Sequence, residues 1–264
     1  MATEDDTMKL GLVTYNIASA WDLATVLRVC QEVGLAGVEL RTSHAHGVEV
    51  TLSEAERREV AARFADSPVR LVGLGSIYEY HSPDPAELRR QIDGTKAAVR
   101  LAAALGADGV KVRPNALPEG IPAERTLAQI GRALNEVAAD AADFGVEVRL
   151  EVHGKGTCLP PNLAAIMATA PHANAKVCWN SNHPNDLDAA GRLEPHFRLL
   201  VERIGLVHIN RLHCGYPYAQ LFRLLKAGGY DGFCLAELPA AGDVACATEF
   251  LRYYRQCFEL LGGA

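Results

Sequence analysis

Four polar residues recur at nearly equal intervals in the second half of the chain. They are Glu151, Asn180, His208 and Glu237, separated by 29, 28 and 29 positions. Each closes a short apolar run: Val146 to Val152 around Glu151, Ala-Lys-Val-Cys-Trp before Asn180, Ile-Gly-Leu-Val before His208 and Gly-Phe-Cys-Leu-Ala before Glu237. Such an interval accommodates one strand, one loop and one helix, so four strand ends would present Glu, Asn, His and Glu side by side. Two carboxylates, an imidazole and an amide oxygen can hold a divalent cation and move protons.

The elements that would position them follow in order. Lys9 to Tyr15 reads as a first strand. Val26, Leu27, Val29, Cys30 and Val33 then recur at helical spacing and stop at Gly34, a C-terminal cap. Gly37 to Arg41 is a second strand, and Ser53 with Glu56 forms the capping box of the next helix. Strands over 69–75 and 109–113 alternate with helices over 84–105 and 123–144. The last four strands alternate with helices over 162–169, 194–204, 218–226 and 243–260. Eight strand–helix pairs without linker or repeat block predict an α/β chain forming a single (β/α)8 TIM barrel over residues 8–264, with 1–7 a flexible N-terminal tail. The 264 residues match the ~250 typical of such barrels. A doubly wound open sheet is the alternative, but neither G-x-G-x-x-G nor a P-loop is present.

In a barrel of this kind the C-terminal strand ends carry the site. Besides the four residues above, Asn16, Glu39, Arg41, Ser76, Arg113, Asn115, His153, His183, Asn210, Arg211 and His213 fall there. Arg113 suits a phosphate or sugar hydroxyls, or an ion pair with Glu39 or Glu151. His44 and His46 either close over the pocket or are polar loop residues, and Lys155 reads as a solvated loop lysine. Trp179 should point away from its neighbour Asn180, into helix-side core. Cys178 and Cys234 read as core.

Composition limits the function. Hydrophobic residues make up 49% and charged residues 22%, an ordinary globular balance. A net charge of −6 argues against a broad nucleic-acid surface. No apolar run reaches the ~18–20 residues of a membrane helix, and the polar, acidic start reads as neither signal nor transit peptide. Seven cysteines without a CxxC pair suggest a reduced, cytoplasmic protein with mostly packed thiols.

The motifs Leu150-Glu-Val-His153, Asn180-x-x-His183, Val207-His-Ile-Asn210 and Leu235-Ala-Glu237, with Gly-Val-Glu-Leu in strand two and Leu-Gly-Ala-Asp-Gly-Val before strand four, resemble the xylose isomerase-like TIM barrels. The resemblance runs from Met8 onward. That family includes ketose 3-epimerases and other sugar isomerases, inosose dehydratase and endonuclease IV. The resemblance implies one divalent metal, often manganese, with magnesium, cobalt or zinc as alternatives. It would be held by residues at the positions of Glu151, Asn180, His208 and Glu237, with His183 touching substrate. Arg113, His153, Asn210 and Glu39 complete the expected substrate-binding set. Epimerisation of a ketose removes a proton from carbon beside a carbonyl, and Glu151 and Glu237 on opposite faces of the sugar are the expected acid–base pair.

Two departures bear on this expectation. The family carries Asp where Asn180 stands, so the site loses a negative charge. Either Asn180 ligates through its side-chain oxygen, supplemented by His153 or His183, or the metal is lost and the pocket does metal-free chemistry or only binds. Many epimerases also carry a Glu where Thr157 stands. The leading expectation is a sugar isomerase or epimerase of carbohydrate metabolism acting on a keto-sugar or related polyol. A lyase or dehydratase using the same proton abstraction is the alternative, as is a metal-free sugar-binding or partner protein. The expected partner is a small sugar, with neither nucleic acid nor membrane, and a homodimer is compatible with the family. Endonuclease chemistry would need a fuller ligand set and a less acidic chain.

Overall fold

The protein is described from a computed structural model covering residues 8–263; the tail expected over 1–7 lies outside the described residues. Eight strands close into a parallel barrel in the order β1 to β8, each followed by a helix. The strands are β1 Lys9–Asn16, β2 Gly37–Arg41, β3 Arg70–Glu79, β4 Gly109–Arg113, β5 Glu147–Glu151, β6 Ala175–Asn180, β7 Ile204–Ile209 and β8 Phe233–Leu238. The helices are α1 Leu23–Val33, α2 Glu54–Ala65, α3 Pro85–Leu105, α4 Ala123–Ala142, α5 Pro160–Ala168, α6 Glu194–Phe197, α7 Tyr218–Ala227 and α8 Val244–Leu260. Among the described residues no helix is long and apolar enough to cross a membrane. All seven cysteines are free thiols: Cys30, Cys158, Cys178 and Cys234 are buried, and the other three are exposed.

Packing gathers the chain into two compact groups. One contains β1, α1, β2, α2 and the first part of β3, together with the end of β7, α7, β8 and α8. Here β1 is the shared strand, pairing with β2 (Val13 opposite Glu39) and with β8 (Leu12 opposite Ala236). Helix ends are closed locally. The Asp22 side chain accepts from Thr25 N–H at the start of α1, Gly34 (φ 79°) ends it, and Ser53 and Glu56 cap α2 reciprocally.

The other group contains α3, β4, α4, β5, α5, β6 and α6. Strand β5 shows why its sequence alternates. Val146, Val148, Leu150 and Val152 are buried on one face, whereas Glu147, Arg149 and Glu151 share the other. The charges on that face are paired: Arg149 Nε lies 2.8 Å from Glu147 Oε2, and Lys111 Nζ lies 2.6 Å from Glu151 Oε2. Gly109 makes room for the Arg149 guanidinium, since a Cβ there would sit 2.7 Å from its Nε. Trp179 is buried on the helix side, its ring edge-on to Phe197 of α6 at 5.5 Å.

The segment expected as the sixth helix differs from expectation. Instead of a helix over 194–204, α6 ends at Phe197, a 3-10 turn covers Val201–Arg203 and β7 starts at Ile204. Arg203 explains the change of direction: its guanidinium donates to the carbonyls of Ala170, His172 and Ala175, which fastens this turn to the segment entering β6.

The loops after β4 and β5 are bound together by a bridge between Ala116 and Lys155. Gly154 (φ 92°) lies against the carbonyl of Asn115, where any Cβ would overlap it. Replacing Gly154 with alanine therefore adds both backbone strain and a clash. The expected loss is about 2 kcal/mol or more in urea unfolding, whereas an unchanged midpoint would show that this loop contact carries no stability.

Candidate functional site

The polar residues of the C-terminal strand ends form two clusters, one in each group. In the group built on β1, His208 of β7 is fully buried between two carboxylates. Its Nε2 lies 3.4 Å from Glu39 Oε1 on β2, and its Nδ1 lies 3.7 Å from Glu237 Oε2 on β8. Glu39 is buried, and neither of its oxygens accepts a hydrogen bond. A buried carboxylate is costly without a positive or hydrogen-bonding partner. An imidazole whose Nε2–H faces Glu39 leaves the Nδ1 lone pair on the Glu237 side, the arrangement by which a carboxylate orients a metal-binding histidine. This half of the donor set fits a divalent cation.

In the other group Glu151 ends β5 with both oxygens engaged. Oε2 meets the Lys111 ammonium, and Oε1 accepts from the Asn180 amide at 2.8 Å. A carboxylate can only accept, so Asn180 turns its amide nitrogen toward Glu151. The loop after β6 is fixed by Asn182, which donates to the carbonyls of Asn180 and Val152 and whose N–H bonds Asp186. Glu151 and Asn180 are therefore brought together, with Lys111 as a partner that the reading of strand ends had not singled out.

The remaining expected residues take varied positions. Arg113 pairs with Glu79 at 2.5 Å, not with Glu39 or Glu151, and Asn115 donates to the other Glu79 oxygen at 2.6 Å. Its positive charge is thus shared with a carboxylate, which weakens any attraction for phosphate. Glu79 lies outside the strand ends expected from the sequence because β3 continues four residues past Gly75. His153 is partly buried, with Nδ1 making no hydrogen bond. His183 is exposed. Asn210 is held through its backbone, its N–H donating to the Tyr218 hydroxyl and its carbonyl accepting from Tyr254. Arg211 and His213 line a mainly apolar recess of about 360 Å³ with Phe250, Tyr253 and Leu260 of α8.

The loop after β2 carries a further small cluster. The Thr14 hydroxyl accepts from Arg41 N–H at 2.9 Å and lies within hydrogen-bond distance, 3.3 Å, of His44 Nδ1. The His44 ring stacks on Tyr15 at 6.3 Å, and the Arg41 guanidinium sits 5.9 Å from the Tyr15 ring. His46 bonds the Arg41 carbonyl.

The sequence pattern of the xylose isomerase-like TIM barrel family matches residues 27–256. No curated protein matches the chain. Among solved structures it is similar to D-psicose 3-epimerase in the presence of D-fructose (16% identity, 97% of this chain and all of that one, TM-score 0.81). It is also similar to L-ribulose 3-epimerase (19%, 97% and 96%, 0.78) and to the IolI protein with a binding zinc atom (17%, 96% and 98%, 0.80). At these identities the likeness is one of fold.

Burial, then the positive neighbours His46 and Arg41, lowers the His44 pKa to about 4 from an ordinary 6.5. The folded state therefore binds fewer protons than the unfolded one between these values. The stability His44 contributes is complete above about 6.5 and declines as the pH falls toward 4. Proton NMR titration should place its midpoint near 4, whereas a midpoint near 6.5 would mean that the Thr14 and Tyr15 contacts do not form.

Proposed function

The chain belongs to the xylose isomerase-like TIM barrel family, and from that premise we propose that it is a sugar isomerase or epimerase acting on a keto-sugar or related polyol. The observation that carries this reading is the seat of His208, buried between the Glu39 and Glu237 carboxylates. In this reading Glu151, His208 and Glu237 each offer one ligand atom to a divalent cation, and Asn180 adds its amide oxygen. When bound, the cation would polarise the substrate carbonyl and neighbouring hydroxyl as a Lewis acid.

The other steps belong to side chains. Glu39 faces the Nε2 edge of His208 at 3.4 Å and by its charge favours the tautomer that carries the proton there, which orients the ring. Glu237 removes the proton from one face of the carbon beside the carbonyl. Glu151, having taken up a proton from solvent for this step, gives it to the opposite face and inverts that carbon, which leaves Glu151 ionised and Glu237 protonated until Glu237 returns its proton to solvent. Paired with Glu79, Arg113 is suited to sugar hydroxyls more than to a phosphate. The metal-bearing IolI structure and the two ketose epimerases support the same choice of chemistry by sharing the fold.

The test is a panel of unphosphorylated ketoses with manganese(II) or zinc(II) supplied and products separated by chromatography. An epimer should form, and Glu237→Gln and Glu151→Gln should each lower turnover about 10²- to 10⁴-fold, the range of general acid–base catalysis. Full turnover by the Glu237→Gln enzyme would refute the assignment, and a dehydrated product would move the protein to the lyases.

A further inference from the structure

Lys111 has no part in the proposed reaction, yet it is placed with care. It lies in the middle of β4 with its side chain 5% exposed, and Nζ is 2.6 Å from Glu151 Oε2. The Ser76 hydroxyl donates to its backbone carbonyl at 2.6 Å, pinning that strand position. The other Glu151 oxygen accepts from Asn180. Strands β4, β5 and β6 pair in parallel without a break in register, so these three side chains come from adjacent strands of one continuous ladder.

The consequence for a cation is electrostatic. An incoming divalent ion meets a carboxylate already carrying an ammonium at contact distance, in surroundings where charges are poorly screened. It must either displace Lys111 from Oε2 or sit beside it against like-charge repulsion. Asn180 works in the same direction, because a neutral amide stands where a carboxylate would add attraction. Both residues lower the negative charge around Glu151.

We propose that Lys111 is a built-in counter-cation of Glu151, which competes with the divalent ion for this carboxylate, so that the ion is held weakly and exchanges readily. The inference rests on the reading of Glu151 as a ligand. It identifies Lys111 as the residue that sets metal affinity, with hard divalent cations such as manganese(II) as the ligand class.

The experiment measures manganese(II) binding by calorimetry on the full chain after dialysis against chelator and then buffer, with ketose turnover recorded separately. Lys111→Met removes the charge and keeps the length, and Lys111→Gln serves the same comparison should the first fail to fold. Lys111→Arg retains the charge. Either neutral variant should bind manganese(II) at least about tenfold more tightly than the parent, the scale of one like charge removed beside the ion. Lys111→Arg should remain weak, and Asn180→Asp should tighten binding on its own. Equal or weaker binding by a folded neutral variant overturns the counter-cation role. If the parent meanwhile binds the ion and turns over ketose, the functional reading stands. Absence of binding in every variant, Asn180→Asp included, overturns both.

Discussion

A carboxylate inside a barrel must be given a partner, and much of this structure follows from that requirement. Burial of Glu151 would be prohibitive alone; it is tolerated because an ammonium and an amide meet its two oxygens. The same rule operates two residues earlier in β5, where Glu147 and Arg149 neutralise one another. Strand β5 can therefore carry three ionisable residues on one face while Val146, Val148, Leu150 and Val152 seal the other against helices. Gly109 belongs to this arrangement, since its missing side chain is the space that Arg149 fills. Removing one member of such a pair costs more than never having had it, because the survivor stays buried.

The cluster around His208 meets the requirement differently. Glu39 is as deeply buried as Glu151, but no hydrogen bond reaches its oxygens, and the ionisable group beside it is the His208 imidazole. A histidine can satisfy one carboxylate with its N–H while offering a lone pair from the opposite nitrogen. That two-sidedness is what a metal ligand needs and what a lysine cannot supply.

Most of the architecture was legible in the sequence, for identifiable reasons. The ends of β2 and β4, the capping box at Ser53 and Glu56 and the stop at Gly34 are local events, decided by residues a few positions apart. Four strand-end polar residues were visible because their intervals repeat. Their partners were harder to see, because pairing across strands leaves no periodic trace. Lys111 sits inside an apolar strand, two residues before the polar end that attracted attention, and only β4–β5 pairing shows what it meets. Glu79 was hidden by an early stop for β3, since Gly73 and Gly75 resemble a strand end while the strand runs on. The shortened α6 likewise depends on Arg203 finding three carbonyls near the entry to β6, a contact that helical spacing does not encode.

The central claim is that the chain moves a proton at the carbon next to a carbonyl. The most direct measurement is incubation with unphosphorylated ketoses in deuterium oxide, with proton NMR of recovered substrate and product. The account predicts solvent deuterium at the carbon beside the carbonyl in the epimer, and its loss when Glu237 is replaced by glutamine. An epimer formed with no deuterium from solvent, or no exchange with any ketose in the presence of manganese(II) or zinc(II), would contradict it.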